Sequence, residues 1–131
     1  DFQKGVADSR RVGEALGRGA AVVFFPEGTF VAATGLRPFR LGAFKAAADA
    51  GASVVPLALR GTRQVLRGDA RLPRPGPIHL FIGSPLAPEG SDLTALVAFR
   101  NRVAEEIAGQ CGEPRLDVVA AGVERRGEGH P

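Results

Sequence analysis

The chain has 131 residues, 44% hydrophobic and 24% charged, which suits one globular domain with one core and excludes global disorder. Its formal charge of +3 conceals fifteen Arg against two Lys, a skew that fits phosphate binding and equally a genome's composition, while the chain as a whole is too mildly basic for a nucleic-acid binder. Cys111 is the only cysteine, which excludes an intrachain disulfide and a multi-cysteine zinc site, and no apolar run approaches the roughly 18 residues of a membrane-spanning helix.

Ala7 to Gly17 reads as a helix. Val6, Val12 and Leu16 share one face, Arg10, Arg11, Glu14 and Arg18 face outward, and Gly17 and Gly19 end it. Ala20 to Phe25 follows as a strand with no polar residue to mark an exposed side, the pattern of a strand covered on both faces in a parallel or mixed sheet. Pro26-Glu27-Gly28-Thr29 forces the chain out of that strand. Leu41 to Ala50 returns to helix, with Phe44, Ala47 and Ala48 inward and Gly51 as its stop.

Ser53 to Leu59 is the second expected strand. Pro56 within it has no N–H to give a ladder, so it belongs at an edge, at a bulge, or where the strand leaves its neighbour. Arg60 to Pro77 reads as a loop carrying five Arg against Asp69. Ile78 to Gly83 is a third strand, stopped by Ser84-Pro85. Leu93 to Ala108 is the longest helix, with Leu93, Leu96, Val97, Val103 and Ile107 at helical spacing and Ser91 or Asp92 available as cap. The expected organisation is a domain over residues 1–112 and a partly disordered C-terminal tail over residues 113–131. Helices alternating with apolar strands predict an α/β fold with a mixed, largely parallel sheet flanked by helices.

The turn at Phe25-Pro26-Glu27-Gly28-Thr29 is the sharpest local signal. Pro26 ends the strand, Gly28 permits backbone conformations closed to other residues, and Glu27 stands at the strand's carboxyl end, where α/β sheets tend to bind ligands. A bare Pro-Glu-Gly also fits a solvated surface turn. Its companions decide between the two: Gly35, Pro38-Phe39-Arg40, Gly42-Ala43-Phe44 and Val55-Pro56-Leu57 follow in order.

Together, residues 22 to 61 resemble the glycerolipid acyltransferase family, which includes the bacterial 1-acylglycerol-3-phosphate acyltransferases. That resemblance implies an enzyme of phospholipid biosynthesis. It would pass a fatty acyl group from acyl-CoA or acyl carrier protein, as co-substrate and with no cofactor, to a lysophospholipid or glycerol-phosphate acceptor at the cytoplasmic face of a membrane. It further implies that Glu27, Gly28 and Thr29 help hold the acceptor and that Val55 and Pro56 line the site behind it. The residues themselves agree in kind. A carboxylate can orient an acceptor hydroxyl, while backbone N–H groups at the glycine turn and Arg37 and Arg40 can take a phosphate. Solvated loop charges are the other reading of Arg37 and Arg40. The Arg60 to Arg74 loop is suited to anionic headgroups or to the carrier's phosphates, and equally to a solvated linker.

Two departures stand out. Many members carry Arg directly after Glu-Gly-Thr, taken to bind the acceptor phosphate, where this chain has Phe30; either another arginine substitutes or the acceptor head differs. The family's catalytic His, followed five positions later by an Asp, has no counterpart, because His79 leads to Ser84 and His130 is one residue from the end. The expectation is a fragment that is incomplete at its N-terminus and has lost the catalytic block upstream. A non-catalytic lipid- or phosphate-binding module related to acyltransferases is the alternative.

Overall fold

The computed structural model describes residues 2–28, 34–66 and 71–117. Its first element, α1, is a helix over Phe2–Gly17, starting five residues before the expected Ala7. Helix α2 covers Gly42–Ala50 and is ended by Gly51, which takes the left-handed conformation at φ 63° and donates its N–H to the carbonyls of Ala47 and Ala48. Its alanines carry little side-chain entropy into the helix and let it approach its neighbours closely. Phe44, Ala46 and Ala47 are buried.

Strand β1, Leu57–Arg60, is followed by the single helical turn α3, Thr62–Val65, where a continuous loop was expected. Strand β2 is His79–Ile82. Helix α4 runs from Leu93 to Cys111, capped at its start by the Asp92 carboxylate, which accepts the Ala95 N–H at 3.4 Å, and at its end by Gly112 at φ 76°. Asp92 and Gly51 are caps the sequence offered, while α4 runs three residues past the expected Ala108 before Gly112 ends it.

The core is small and mostly helical. Phe39, Phe44, Ala47, Phe99, Val103 and Ala104 form it, with Val54, Leu86 and Ile107 packed at its margin. The rings of Phe44 and Phe99 meet edge to face, centroids 5.6 Å apart and planes at 80°, an arrangement that matches a ring's positive edge to its partner's negative face. Packing runs from α1 to α2, from α2 to α4, and from α4 to β1.

The expected mixed, largely parallel sheet is not seen among the described residues. Among the described residues the sheet has two strands, β1 and β2, paired antiparallel with Leu57 opposite Ile82 and Arg60 opposite His79. Beyond its end Val54 and Leu86 exchange backbone hydrogen bonds of 2.9 and 2.8 Å. Pro56 sits between this bridge and the ladder, where its missing N–H interrupts nothing, and its carbonyl accepts the Gly83 N–H at 2.8 Å.

Ala20 to Phe25 forms no strand. Val23 is 73% and Phe25 78% exposed. A continuous apolar run specifies burial on two faces only where neighbours exist to cover it, and among the described residues no strand pairs with this one.

Candidate functional site

The turn after Phe25 is closed by the Gly28 N–H donating to the Phe25 carbonyl at 3.0 Å. Gly28 takes φ 71°, a conformation open to glycine at no steric cost. The absent side chain serves a second purpose, because a Cβ built there would lie 2.6 Å from Nε of Arg40. The Arg40 guanidinium therefore lies against the bare backbone of the turn. The backbone N–H of Arg40 donates to the Pro26 carbonyl at 2.8 Å, which ties the approach to α2 to the same turn. Among the described residues the Arg40 side chain is in no ion pair.

Glu27 is half-buried, and one of its carboxylate oxygens accepts the backbone N–H of Arg37 at 3.0 Å. Among the described residues the other oxygen accepts no such bond, leaving it able to accept from a ligand hydroxyl. Arg37 thus contributes its main chain to the turn while its side chain is exposed.

The loop that supplies Arg37 is held by the segment that follows α4. Leu36 donates to the Pro114 carbonyl at 2.8 Å and accepts from Leu116 at 3.0 Å, a short parallel bridge. Gly35 donates its N–H to Glu113 at 3.0 Å. Glu113 is also paired with the Arg63 guanidinium of α3. The hydrogen bond from Arg63, ahead of the opposing effect of desolvation, holds the Glu113 carboxyl below its ordinary value, with the Gly35 N–H adding to the effect. Arg63 is correspondingly raised, first by its hydrogen bond to Glu113, and the Glu27 carboxylate adds a smaller electrostatic share. Residues 113–117, placed in the tail on sequence grounds, are therefore part of the site's frame.

An open, largely apolar cleft of about 1110 Å³ lies between α1, α2 and the turn, with Phe25, Pro26, Gly28 and Arg40 on its wall. Glu27 is not among its lining residues; it faces the Arg37 loop. The structure thus brings Glu27, Gly28, Arg37 and Arg40 together. Val55 and Pro56 sit just ahead of β1, Val55 exposed and Pro56 buried, and among the described residues no hydrogen bond joins them to the Glu27 turn. Thr29, Phe30 and His130 lie outside the described residues. His79 is exposed on β2. Arg63 and Glu113 were not singled out from the sequence, where an Arg in a basic stretch and a Glu just past a helix stop carry no distinguishing signal.

The sequence of residues 2–60 matches the family described as Acyltransferase. Over 99 residues the chain is 37% identical to the 1-acyl-sn-glycerol-3-phosphate acyltransferase BAT2, chloroplastic, of Brassica napus, a match covering 75% of this chain and 28% of that protein. Over 52 residues it is 48% identical to a 1-acyl-sn-glycerol-3-phosphate acyltransferase of Neisseria gonorrhoeae, covering 40% of this chain and 20% of that one. The crystal structure of the 1-acyl-sn-glycerophosphate (LPA) acyltransferase PlsC from Thermotoga maritima shares its fold at a TM-score of 0.66 and 28% identity, covering 76% of this chain and 40% of that one. The chain spans less than a third of the length of the curated relatives it matches. Its residues 2–60, which hold the Glu27 turn, match the Acyltransferase family, in line with the resemblance that the motifs between residues 22 and 61 carry.

Proposed function

We propose that these residues are the acceptor-holding part of an enzyme that moves a fatty acyl group from an acyl thioester, on coenzyme A or acyl carrier protein, to a hydroxyl of a lysophospholipid or glycerol phosphate. The observation that carries this reading is the glycine turn, which bears Glu27 and has the Arg40 guanidinium against its backbone. The free oxygen of Glu27 orients the acceptor hydroxyl, and the Arg40 guanidinium takes the phosphate in place of the arginine that Phe30 displaces. Thr29 adds a hydroxyl beside them, and Val55 and Pro56 form the wall behind once the domain is whole.

Acyl transfer of this kind is substitution at a thioester carbonyl. The hydroxyl oxygen bonds to the carbonyl carbon, the carbon–sulfur bond breaks, and the thiol leaves with the proton that the hydroxyl gives up. It calls for no metal and no organic cofactor. The base that moves the proton belongs to a His-Asp pair elsewhere in the full-length protein, since no His in these residues has an Asp five positions on. Two facts support a larger domain: the curated relatives extend far beyond the matched region, and Val23, Phe25, Leu80 and Ile82 stand exposed. Further strands pairing with Ala20 to Phe25 would give the mixed, largely parallel sheet of the complete fold. The enzyme works at the cytoplasmic face of a membrane, where its acceptor resides, held peripherally or through segments other than these. Among the described residues no helix is long and apolar enough to cross one.

The test is acyl transfer to lysophosphatidate by the full-length protein. Glu27→Gln is expected to lower kcat/KM for the acceptor by about tenfold to hundredfold, the loss of one charge-assisted hydrogen bond. The missing His-Asp spacing favours a second reading, a lipid- or phosphate-binding module without catalysis. That reading predicts saturable lysophosphatidate binding with no acyl product from the full-length protein.

A further inference from the structure

Glu27 can aim its carboxylate only as well as the loop that binds it is held. One of its oxygens is spent on the Arg37 N–H, so the loop's position fixes the rotation of the carboxylate and the direction of the remaining oxygen. Among the described residues that loop is tied to the segment that follows α4. Its Gly35 takes φ 113°, and the side chain of Leu116 fills the space where a Cβ would lie, 2.6 Å away. The Gly35 N–H ends on Glu113, and both backbone groups of Leu36 end on Pro114 and Leu116.

The segment from Glu113 to Asp117 is itself anchored twice. Arg115 reaches back to α4 through Asn101 at 3.4 Å and Glu105 at 3.9 Å, and it grips Asp117 at 2.6 Å. Glu113 is joined to Arg63 on α3. A continuous set of contacts thus leads from α3 and α4, through Glu113 and Leu116, to Gly35, Leu36 and Arg37, and so to Glu27.

We propose that Glu113, held by Arg63, is a positioning residue for Glu27: it fixes the loop that aims the carboxylate at the acceptor hydroxyl, without touching the acceptor itself. This rests on the acceptor-site reading of Glu27. Glu113 has a geometry suited to the role, since one of its oxygens serves the Gly35 N–H while the pair as a whole is gripped by the Arg63 fork. The separation in sequence, 78 residues from Gly35 and 50 from Arg63, couples the end of the longest helix to the first turn of the site.

The experiment is a double-mutant cycle in the full-length protein, with lysophosphatidate as acceptor and an acyl-CoA as donor. Glu113→Ala is expected to raise the acceptor KM or lower kcat/KM for the acceptor about tenfold, within the range that small misplacement of a reacting group produces. The donor KM should stay within about twofold, because the loop acts through Glu27, the residue assigned to the acceptor. Glu113→Gln, which keeps an oxygen for the Gly35 N–H, should recover part of the loss even if Glu113→Ala folds poorly. In the Glu27→Gln background, Glu113→Ala should have almost no further effect on the acceptor, since there is no carboxylate left to aim.

Additive effects of Glu27→Gln and Glu113→Ala would overturn the positioning role, as would a Glu113→Gln variant that lowers donor and acceptor kinetics equally. A Glu27→Gln variant with unchanged acceptor kinetics would remove the acceptor-site reading itself, and the positioning role with it. The two failures are thus told apart by the Glu27 single variant.

Discussion

Gly28 combines two demands that are usually separate. Its φ of 71° lies in the left-handed region, where a residue with a Cβ costs roughly 1–2 kcal/mol. The same Cβ would meet the Arg40 guanidinium at 2.6 Å, but Arg40 ends a flexible side chain and can swing away. Backbone strain therefore decides the stability effect, and displacement of Arg40 decides the functional one. Gly28→Ala is expected to destabilise the protein by roughly 1–2 kcal/mol and to weaken binding of a phosphate-bearing acceptor more than binding of an uncharged one. Denaturant melts and acceptor titrations of the full-length protein separate the two effects.

Glu113 adds a pH dependence at the same scale. Its carboxyl is held below the ordinary value of 4.5, chiefly by the Arg63 hydrogen bond. A group with a depressed folded-state pKa stabilises the fold at pH values above its unfolded value, and that contribution is lost as pH falls through the folded value. The pair is partly exposed, Arg63 by 42% and Glu113 by 22%, so its share is about 1 kcal/mol or less. The expected outcome is a melting temperature that falls more steeply below about pH 4.5 in the natural sequence than in Glu113→Gln. Equal slopes in the two proteins would show that the pair contributes nothing to acid stability.

Among the elements, α4 carries the core. Phe99 is 1% exposed and meets Phe44 edge to face, with the Arg102 guanidinium 5.8 Å above its ring. Removing the ring leaves a cavity that flanking helices can only partly close, so Phe99→Ala is expected to cost about 3–5 kcal/mol in urea melts. Asp92 contributes less. Its capping bond of 3.4 Å is long, which places Asp92→Ala near the lower end of the usual 0.5–2 kcal/mol, at about 0.5 kcal/mol. The helices were legible because their signals are local: Asp92 and Gly51 sit at the ends that they cap. Phe99 completes the spacing from Leu96 to Val103, but nothing near it in sequence marks it as the centre of the core. The edge-to-face partner that makes it the centre of the core stands 55 residues earlier, at Phe44. The Glu27 turn was legible for the same local reason, and the Glu113 clamp was not, since its partners lie 50 and 78 residues away.

At the scale of the whole molecule, the sequence pattern and the structure part company over the sheet. Ala20 to Phe25 reads as a doubly covered strand, yet it forms no strand and lies exposed. Strand β2 is exposed along its whole length, and Leu57 and Leu59 of β1 are exposed as well. Periodicity reports what a segment needs around it, and the need here exceeds what the described helices supply. Exposed apolar faces of this extent mark surfaces that other parts of a protein cover. If the proposal of a larger domain is right, the 131 residues expressed alone should bind a hydrophobic dye, self-associate and melt without cooperativity, because two apolar faces and an unpaired strand edge remain open to water. The full-length protein should show none of these, and restoring its upstream sequence should abolish dye binding before it changes the helical signal, since α1, α2 and α4 already pack on one another here. A soluble monomer of the 131 residues that unfolds in one cooperative transition would count against the larger domain.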